Sequence, residues 1–236
     1  MKISPAKQRL LATALAGASL LGVAGNASAA GVTMTDISDV FGLFGASTSA
    51  FDTSTNTLTL TPTKNVYPAI HGTAFTAYSF QGHGNFAGPL GIAFDTFTVT
   101  FKADPGYKIT DLTYGESGAF FRQGTGAVTY VSGSMSVNGS GAQGFTEFPT
   151  FVNGAGTKAG AWRIDPITVS VNGDSATVVV SDVLAALSGA NDFAFITKAL
   201  AKVKVDVTAV PLPPALWMLG SALVGLVTVG RRGADR

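Results

Sequence analysis

The chain contains no cysteine among its 236 residues, and only 12% of them are Asp, Glu, Lys or Arg. The lack of cysteine excludes disulfides, thiolate metal sites and a cysteine nucleophile. Only His71 and His83 offer imidazoles, and neither stands in a His-x-His or His-Glu-x-x-His motif. We therefore expect no metal and no cofactor, and a fold stabilised by packing and backbone pairing.

Positive charge is concentrated at the two ends of the chain. Residues 30–208 contain 9 Lys and Arg against 13 Asp and Glu, a formal charge of −4. Binding to phosphate backbones needs clustered Lys and Arg, so nucleic acid is not expected as a partner.

The body of the chain is rich in glycine and alternates apolar with polar residues at period two, which favours strands joined by tight turns. Phe97, Val99 and Phe101 share one face of Asp95–Lys102, and Val203, Val205 and Val207 share one face of Lys202–Thr208. Thr57–Thr61 alternates in the same way. We predict an all-β ectodomain over residues 30–208, an antiparallel β-sandwich of jelly-roll type with nine to twelve strands, with a closed barrel as the alternative.

Local turn signals refine this prediction. Asn172-Gly173 fits a type I′ turn and predicts a hairpin over Ile167–Val180, with Val169 opposite Ala176. Asn138-Gly139 predicts a second turn of this kind, and Asp104-Pro105-Gly106 predicts another turn. Two segments carry weak helix signals. Asp182–Leu187 reads as one or two helical turns with Asp182 as N-cap, and Asp36–Gly45 as a short helix or a loop.

The N-terminus has the three parts of a secretory signal peptide, which forms a helix during export. Lys2, Lys7 and Arg9 precede the apolar run Leu10–Ala24, and Ala27-Ser28-Ala29 forms a small-x-small cleavage signal. Residues 1–29 are predicted to be removed before Ala30. The Sec translocon and signal peptidase are the partners that this implies.

The C-terminal segment, residues 209–236, combines prolines, an apolar run and arginines. Residues 215–230 (Ala215–Gly230) carry no charge and are long enough for a marginal transmembrane helix. Arg231 and Arg232 follow at once and predict a cytoplasmic end. The signal peptide independently places the body outside, so the two orientation signals agree.

These residues resemble the PEP-CTERM sorting signal of exopolysaccharide-producing Gram-negative bacteria. Val210, Pro211, Leu212 and Pro213 match the tag in its Val-Pro-Leu-Pro form, where Leu212 replaces the glutamate of Pro-Glu-Pro. Residues 215–230 match the span, and residues 231–236, beginning with Arg231–Arg232, match the retention cluster. The resemblance implies that exosortase removes the tail at the inner membrane. It also implies delivery to the cell surface or extracellular matrix, in association with exopolysaccharide or biofilm.

The body contains no recognised catalytic motif, and we expect a non-catalytic protein. Two alternatives remain. Exposed aromatic rings would make the domain a carbohydrate-binding module. An envelope glycoside hydrolase would use Glu116 and Glu147 as a carboxylate pair, or Asp95 and the histidines. The aromatic candidates are Tyr67, Tyr78, Phe86, Tyr107, Tyr114, Phe120, Phe121, Tyr130 and Trp162, with Trp162 beside Arg163 placed in a turn region.

Overall fold

The computed structural model describes residues 31–62, 75–80, 90–147, 156–211 and 218. Within these ranges the chain forms twelve strands and one short 3-10 turn, Ala46–Thr48. The strands are β1 (Val32–Asp39), β2 (Ala50–Asp52), β3 (Thr57–Leu60), β4 (Thr76–Phe80), β5 (Leu90–Ala103), β6 (Tyr107–Gln123), β7 (Val128–Val137), β8 (Gln143–Glu147), β9 (Thr157–Arg163), β10 (Ile167–Gly173), β11 (Ser175–Leu187) and β12 (Phe193–Ala209).

The strands make two separate antiparallel sheets, as a β-sandwich requires. Sheet A has the order β1-β5-β11-β7-β8. Sheet B has the order β10-β6-β12-β3-β2, with β4 paired to β12 and β9 paired to β6. The long strands β5, β11, β6 and β12 form the centre of the sandwich, and their inward residues fill one hydrophobic core.

The period-two segments lie in strands with the expected inward faces. Phe97, Val99 and Phe101 of β5 are fully buried between the sheets. In β12, Val203 and Val205 are buried and Val207 packs against the core. Leu58 and Leu60 of β3 are also buried. The prediction of a two-sided β domain with one apolar face per strand is confirmed.

The predicted hairpin over Ile167–Val180 is wrong. β10 pairs with β6 in sheet B, with Val169 opposite Leu112. β11 instead pairs with β5 and β7 in sheet A, where Ala176 lies opposite Phe101. The chain therefore passes from one sheet to the other at Asp174, between the last residue of β10 and the first residue of β11. A turn signal is local, whereas β11 gains two long neighbours by crossing, and those cross-strand pairs decide the outcome.

The other two turns are confirmed. Asn138 and Gly139 both have positive φ, 51° and 70°, and the Ser140 N–H donates to the Val137 carbonyl at 2.9 Å. This is the type I′ geometry, and it joins β7 to β8 as a hairpin. At the end of β5, Gly106 has φ 87° and the Tyr107 N–H donates to the Asp104 carbonyl at 3.0 Å.

The helix predictions do not hold. Asp182–Leu187 is the second half of β11, and Asp182 is buried rather than a cap. Residues 36–39 belong to β1, and residues 40–45 form a loop, so only the loop alternative for that stretch is correct. In both cases the strand neighbours outweigh a weak local helix signal.

Several predictions lie outside the described residues. These are the signal peptide with Ala27, Ala29 and Ala30, the tail residues Leu212, Pro213, Arg231 and Arg232, and both His71 and His83. In the part of the chain that is described, no helix is long and apolar enough to cross a membrane.

Candidate functional site

The outer face of sheet A carries the largest set of exposed apolar side chains on the described surface. We call Val40, Phe41, Leu90, Ile92, Phe94 and Leu187 the apolar patch. Phe41, Ile92 and Phe94 retain 58%, 54% and 56% of their exposed area. Contiguous apolar surface of this kind on a monomer marks an interaction site more often than chance.

Strand register explains why the patch is continuous. Outward residues of β5 alternate with core residues, so Leu90, Ile92 and Phe94 stand side by side on one strand. Leu187 lies directly opposite Leu90 on β11. Phe41, from the loop after β1, packs edge-on against Phe94 with ring centroids 5.1 Å apart. The patch therefore spans two strands and one loop.

Beyond the patch the same face is lined by hydroxyl groups. Thr96 and Ser181 share a hydrogen bond of 2.9 Å, and Thr100 and Thr177 share one of 3.1 Å. None of the outward residues of β5 from Leu90 to Thr100, of β11, or of β7 is charged. The centre of this face is thus apolar at one end, hydroxylated at the other and uncharged throughout.

Two carboxylates hold the loop that presents Phe41. Asp95 accepts the Phe41 N–H at 2.9 Å and the Leu43 N–H at 2.7 Å. Asp39 accepts the Gly42 N–H at 3.1 Å and the Ala46 N–H at 3.2 Å. Burial and the neighbouring Asp95 raise the pKa of Asp39 to about 6. The hydrolase alternative named Asp95 as an acid–base residue. In the structure its carboxylate binds the backbone of the loop that presents Phe41.

A buried ionic cluster lies between the sheets. We define it as Tyr114, Glu116, Asp182 and Lys198, all buried. The Lys198 ammonium contacts Asp182 Oδ2 and lies 2.5 Å from Glu116 Oε2. It also lies 4.0 Å from the centre of the Phe44 ring. Tyr114 donates its hydroxyl to Glu116 Oε2.

Burial governs the proton affinities in this cluster. Desolvation raises the pKa of Glu116 to about 8, and the nearby Asp182 adds to the rise, whereas Lys198 opposes it. Desolvation and the same carboxylates raise the pKa of Tyr114 well above its usual range. Burial therefore favours the protonated form of Glu116, and Tyr114 stays protonated.

The two carboxylates of the predicted glycosidase pair lie in different surroundings. Glu116 is closed off from solvent between the sheets, whereas Glu147 lies on β8 at the edge of sheet A, opposite Val131. Among the described residues no hydrogen bond or ion pair joins these two carboxylates, and no group of three or more acidic or histidine side chains is placed to hold a metal.

Of the aromatic candidates, Trp162 is the clearest correction. It lies in strand β9, not in a turn, is 4% exposed, and donates its indole N–H to the Thr197 carbonyl at 3.1 Å. Tyr114 is buried, while Tyr78 remains 44% exposed on sheet B. Tyr67 and Phe86 lie outside the described residues. The exposed rings Phe41 and Phe94 are absent from the sequence-based candidates.

Both ends of the described domain meet at one pole. The Gly31 carbonyl accepts the Asp104 N–H at 2.7 Å, and the Val210 N–H donates to the Gly106 carbonyl at 2.8 Å. We call this the terminal pole. A cleft of about 710 Å³ opens there, lined in part by Lys102, Tyr107, Lys108, Asp174 and Val210. Val210 and Pro211 are the two tag residues that the structure describes.

No protein-family model and no curated protein matches the chain. Among solved structures, the CBM35 module from Cellvibrio japonicus Abf62 is 18% identical, with 66% of this chain and 99% of that chain covered and a TM-score of 0.20. TmCBM61, solved with β-1,4-galactotriose, is 10% identical over 75% and 86%, with a TM-score of 0.18. Exo-β-1,3-galactanase from Phanerochaete chrysosporium is 16% identical over 63% and 32%, with a TM-score of 0.21. At these identities and TM-scores the similarity carries no conclusion about function.

Proposed function

We propose that this protein is an exported, non-catalytic component of the cell envelope or extracellular matrix that binds neutral polysaccharide on the outer face of sheet A. The uncharged centre of this face, with its apolar patch beside rows of Ser and Thr hydroxyls, is the observation that carries the binding part of the proposal. A sugar ring offers an apolar C–H side and a hydroxylated edge, and such a face matches both.

The export part of the proposal comes from the sequence. The signal peptide before Ala30 and the tag Val210–Pro213 would send the chain through the inner membrane to exosortase, which would remove the tail. The positions of Gly31 and Val210 are compatible with attachment to one membrane. Both residues hydrogen-bond to the turn at residues 104–106, so the described residues nearest the predicted signal peptide and tail lie at the same pole.

In the proposed anchored state, the patch would lie at the end of the domain far from the membrane. β5 runs from Leu90 to Ala103, and Ala103 borders the terminal pole. At about 3.3 Å per residue, Phe94 lies about 30 Å from that pole along the strand. An anchored domain would therefore present the apolar patch outward, where it can meet polysaccharide before the tail is cut.

Binding to polysaccharide is tested by co-sedimentation with insoluble neutral glucans and galactans and with exopolysaccharide from the host. The double variant Phe41→Ser/Phe94→Ser should lose at least tenfold in affinity, because stacked aromatic rings provide most of the contact energy in such sites. Tyr78→Ser removes an exposed ring from sheet B and is the matched control. Equal retention of the wild type and the double variant would refute the assignment of the binding face.

A further inference from the structure

The buried cluster brings an amine, a carboxyl group and a third acidic group together with no access for water. We propose that the Lys198 side chain and the Asp182 side chain condense to an amide bond, with Glu116 transferring the protons. The product is a covalent cross-link between β12 of sheet B and β11 of sheet A. This inference is independent of what the protein binds.

The placement of the reacting groups supports the reaction. Lys198 Nζ contacts Asp182 Oδ2, and the side chains of both residues are fully buried. Groups held in contact in this way react as if at effective concentrations of about 10⁵–10⁸ M. Bulk water opposes amide formation because it drives the reverse reaction, hydrolysis. The Lys198–Asp182 pair is buried away from bulk water.

The reaction starts from the neutral reactants, and two buried aromatic rings close the site around Lys198. Its Nζ lies 4.0 Å from the Phe44 ring centre and 4.4 Å from the Phe75 ring centre, and both rings are fully buried. An ammonium–carboxylate pair loses much of its stability when it is removed from water. One proton transfer from Lys198 to Asp182 converts the ion pair into an amine and a carboxylic acid, and the amine is the nucleophile.

The bond changes balance with one water as the only leaving product. The lone pair of Nζ attacks Asp182 Cγ, the C–N bond forms, and the carbonyl electron pair moves to oxygen. Glu116 gives its carboxyl proton to the departing hydroxyl, and the resulting carboxylate takes a proton from the nitrogen. The C–O bond breaks, water leaves, and Glu116 ends in its starting protonation state. No oxidant, reductant or activated co-reactant is needed.

Glu116 is placed for this role. Its Oε2 lies 2.5 Å from Lys198 Nζ and accepts the Tyr114 hydroxyl. Its Oε1 is buried and has no hydrogen-bond partner among the described residues. The raised pKa of Glu116, about 8, keeps a proton on the carboxyl group at neutral pH. A buried acid that holds a proton beside the nucleophile can both stabilise the oxyanion and supply the proton to the leaving group.

The β-bulge in β12 explains how a lysine reaches this position. The pairing of β12 with β6 shifts register between Lys198 and Leu200. Ala194, Ile196 and Lys198 point inward before the shift, and Ala201 points inward after it. A bulge of this kind re-aims a side chain within a sheet. The cross-link would brace the two sheets of a chain that has no cysteine for a disulfide.

Tryptic mapping of the full-length wild-type protein tests the bond. The protein is fully unfolded in denaturant before digestion, so that the fold cannot protect any site. An amide on Lys198 blocks cleavage there, so the expected product is the peptide Ile164–Lys202, uncut at Lys198. Its mass should be about 18 Da below the sequence value, because one water is lost. Fragmentation should locate the loss to a ring that joins Lys198 and Asp182.

The chain provides an internal control. Lys204 and Asp206 form an exposed ion pair of 2.6 Å between the same residue types, without a third acid. Cleavage at Lys204 should be complete, and its peptides should have full mass. Cleavage of the wild type at Lys198 would overturn the proposal, and so would a mass loss on a peptide that ends at Lys198, since that pattern reports a succinimide.

The variant Glu116→Gln tests the proton-transfer role. It keeps Lys198 and Asp182 but removes the acid, so the digest should show cleavage at Lys198 and full mass. A cross-linked Glu116→Gln variant would refute the role of Glu116. The wild-type digest decides the existence of the bond even if this variant fails to fold.

Discussion

Replacing Lys198 with methionine should destabilise the domain far more than any exposed lysine substitution. The variant keeps the length of the side chain but removes the ammonium that faces Asp182, Glu116 and the Phe44 ring. Removing one partner of a buried ion pair costs about 3–5 kcal/mol, because the remaining charge stays buried. If the proposed amide has formed, it takes the place of the Lys198–Asp182 ion pair, and its loss, which opens a loop closed over a chain separation of 16 residues, costs about 3 kcal/mol if it behaves like a disulfide loop.

The assay is thermal unfolding followed by near-ultraviolet circular dichroism. A loss of at least about 3 kcal/mol should lower the Tm by about 6–12 °C for a domain of this size. Lys204→Met is the matched control, since Lys204 and Asp206 are 55% and 43% exposed and such a pair contributes about 0–1 kcal/mol. If Lys198→Met unfolds within about 1 kcal/mol of the wild type, the cluster does not stabilise the sandwich.

Three further predictions follow from the same structure. Burial raises the pKa of Glu116 from 4.5 to about 8, so its contribution to stability is full below pH 4.5 and is lost as pH rises through 8. The difference in unfolding free energy between the wild type and Glu116→Gln should therefore shrink over that pH range. A difference that does not change with pH would contradict the burial of this acid. Gly118→Ala should destabilise by about 1–3 kcal/mol, since its Cβ would lie 1.9 Å from the Thr197 carbonyl oxygen, whereas Gly115→Ala, with open space around it, should change stability by less; equal Tm values would contradict this packing. In the cysteine-free chain, Ile92→Cys should react with a bulky maleimide faster than Pro105→Cys in the membrane fraction, because the proposed orientation points the patch away from the membrane; faster reaction at residue 105 would reverse that orientation.

The strands were predictable because burial of one face of a strand requires an apolar residue at every second position. Phe97, Val99 and Phe101 in β5 illustrate this directly. Strand pairing was not predictable from a local signal. Asn172-Gly173 has the composition of a hairpin turn, yet the chain crosses between sheets there, because β11 is longer than β10 and pairs with β5 and β7 along its length.

The ionic cluster was missed although its signal is present in the sequence. Glu116 stands in phase with Tyr114 on β6, Asp182 with Val180 and Leu184 on β11, and Lys198 with Ile196 on β12. Each is a charged residue at an inward position of a strand, a combination that requires a partner. Which of these residues come into contact depends on how the two sheets stack, and the sequence of a single strand does not determine that stacking.

The most direct test of the proposed export and sorting is the intact mass of the protein recovered from the membrane and from the medium of its native host. We predict a mature form that begins at Ala30 and ends between Val210 and Pro214, with part of it outside the membrane fraction. A form that still ends at Arg236 and is found only in the membrane would contradict removal of the tail. The C-terminal segment would then be a permanent anchor.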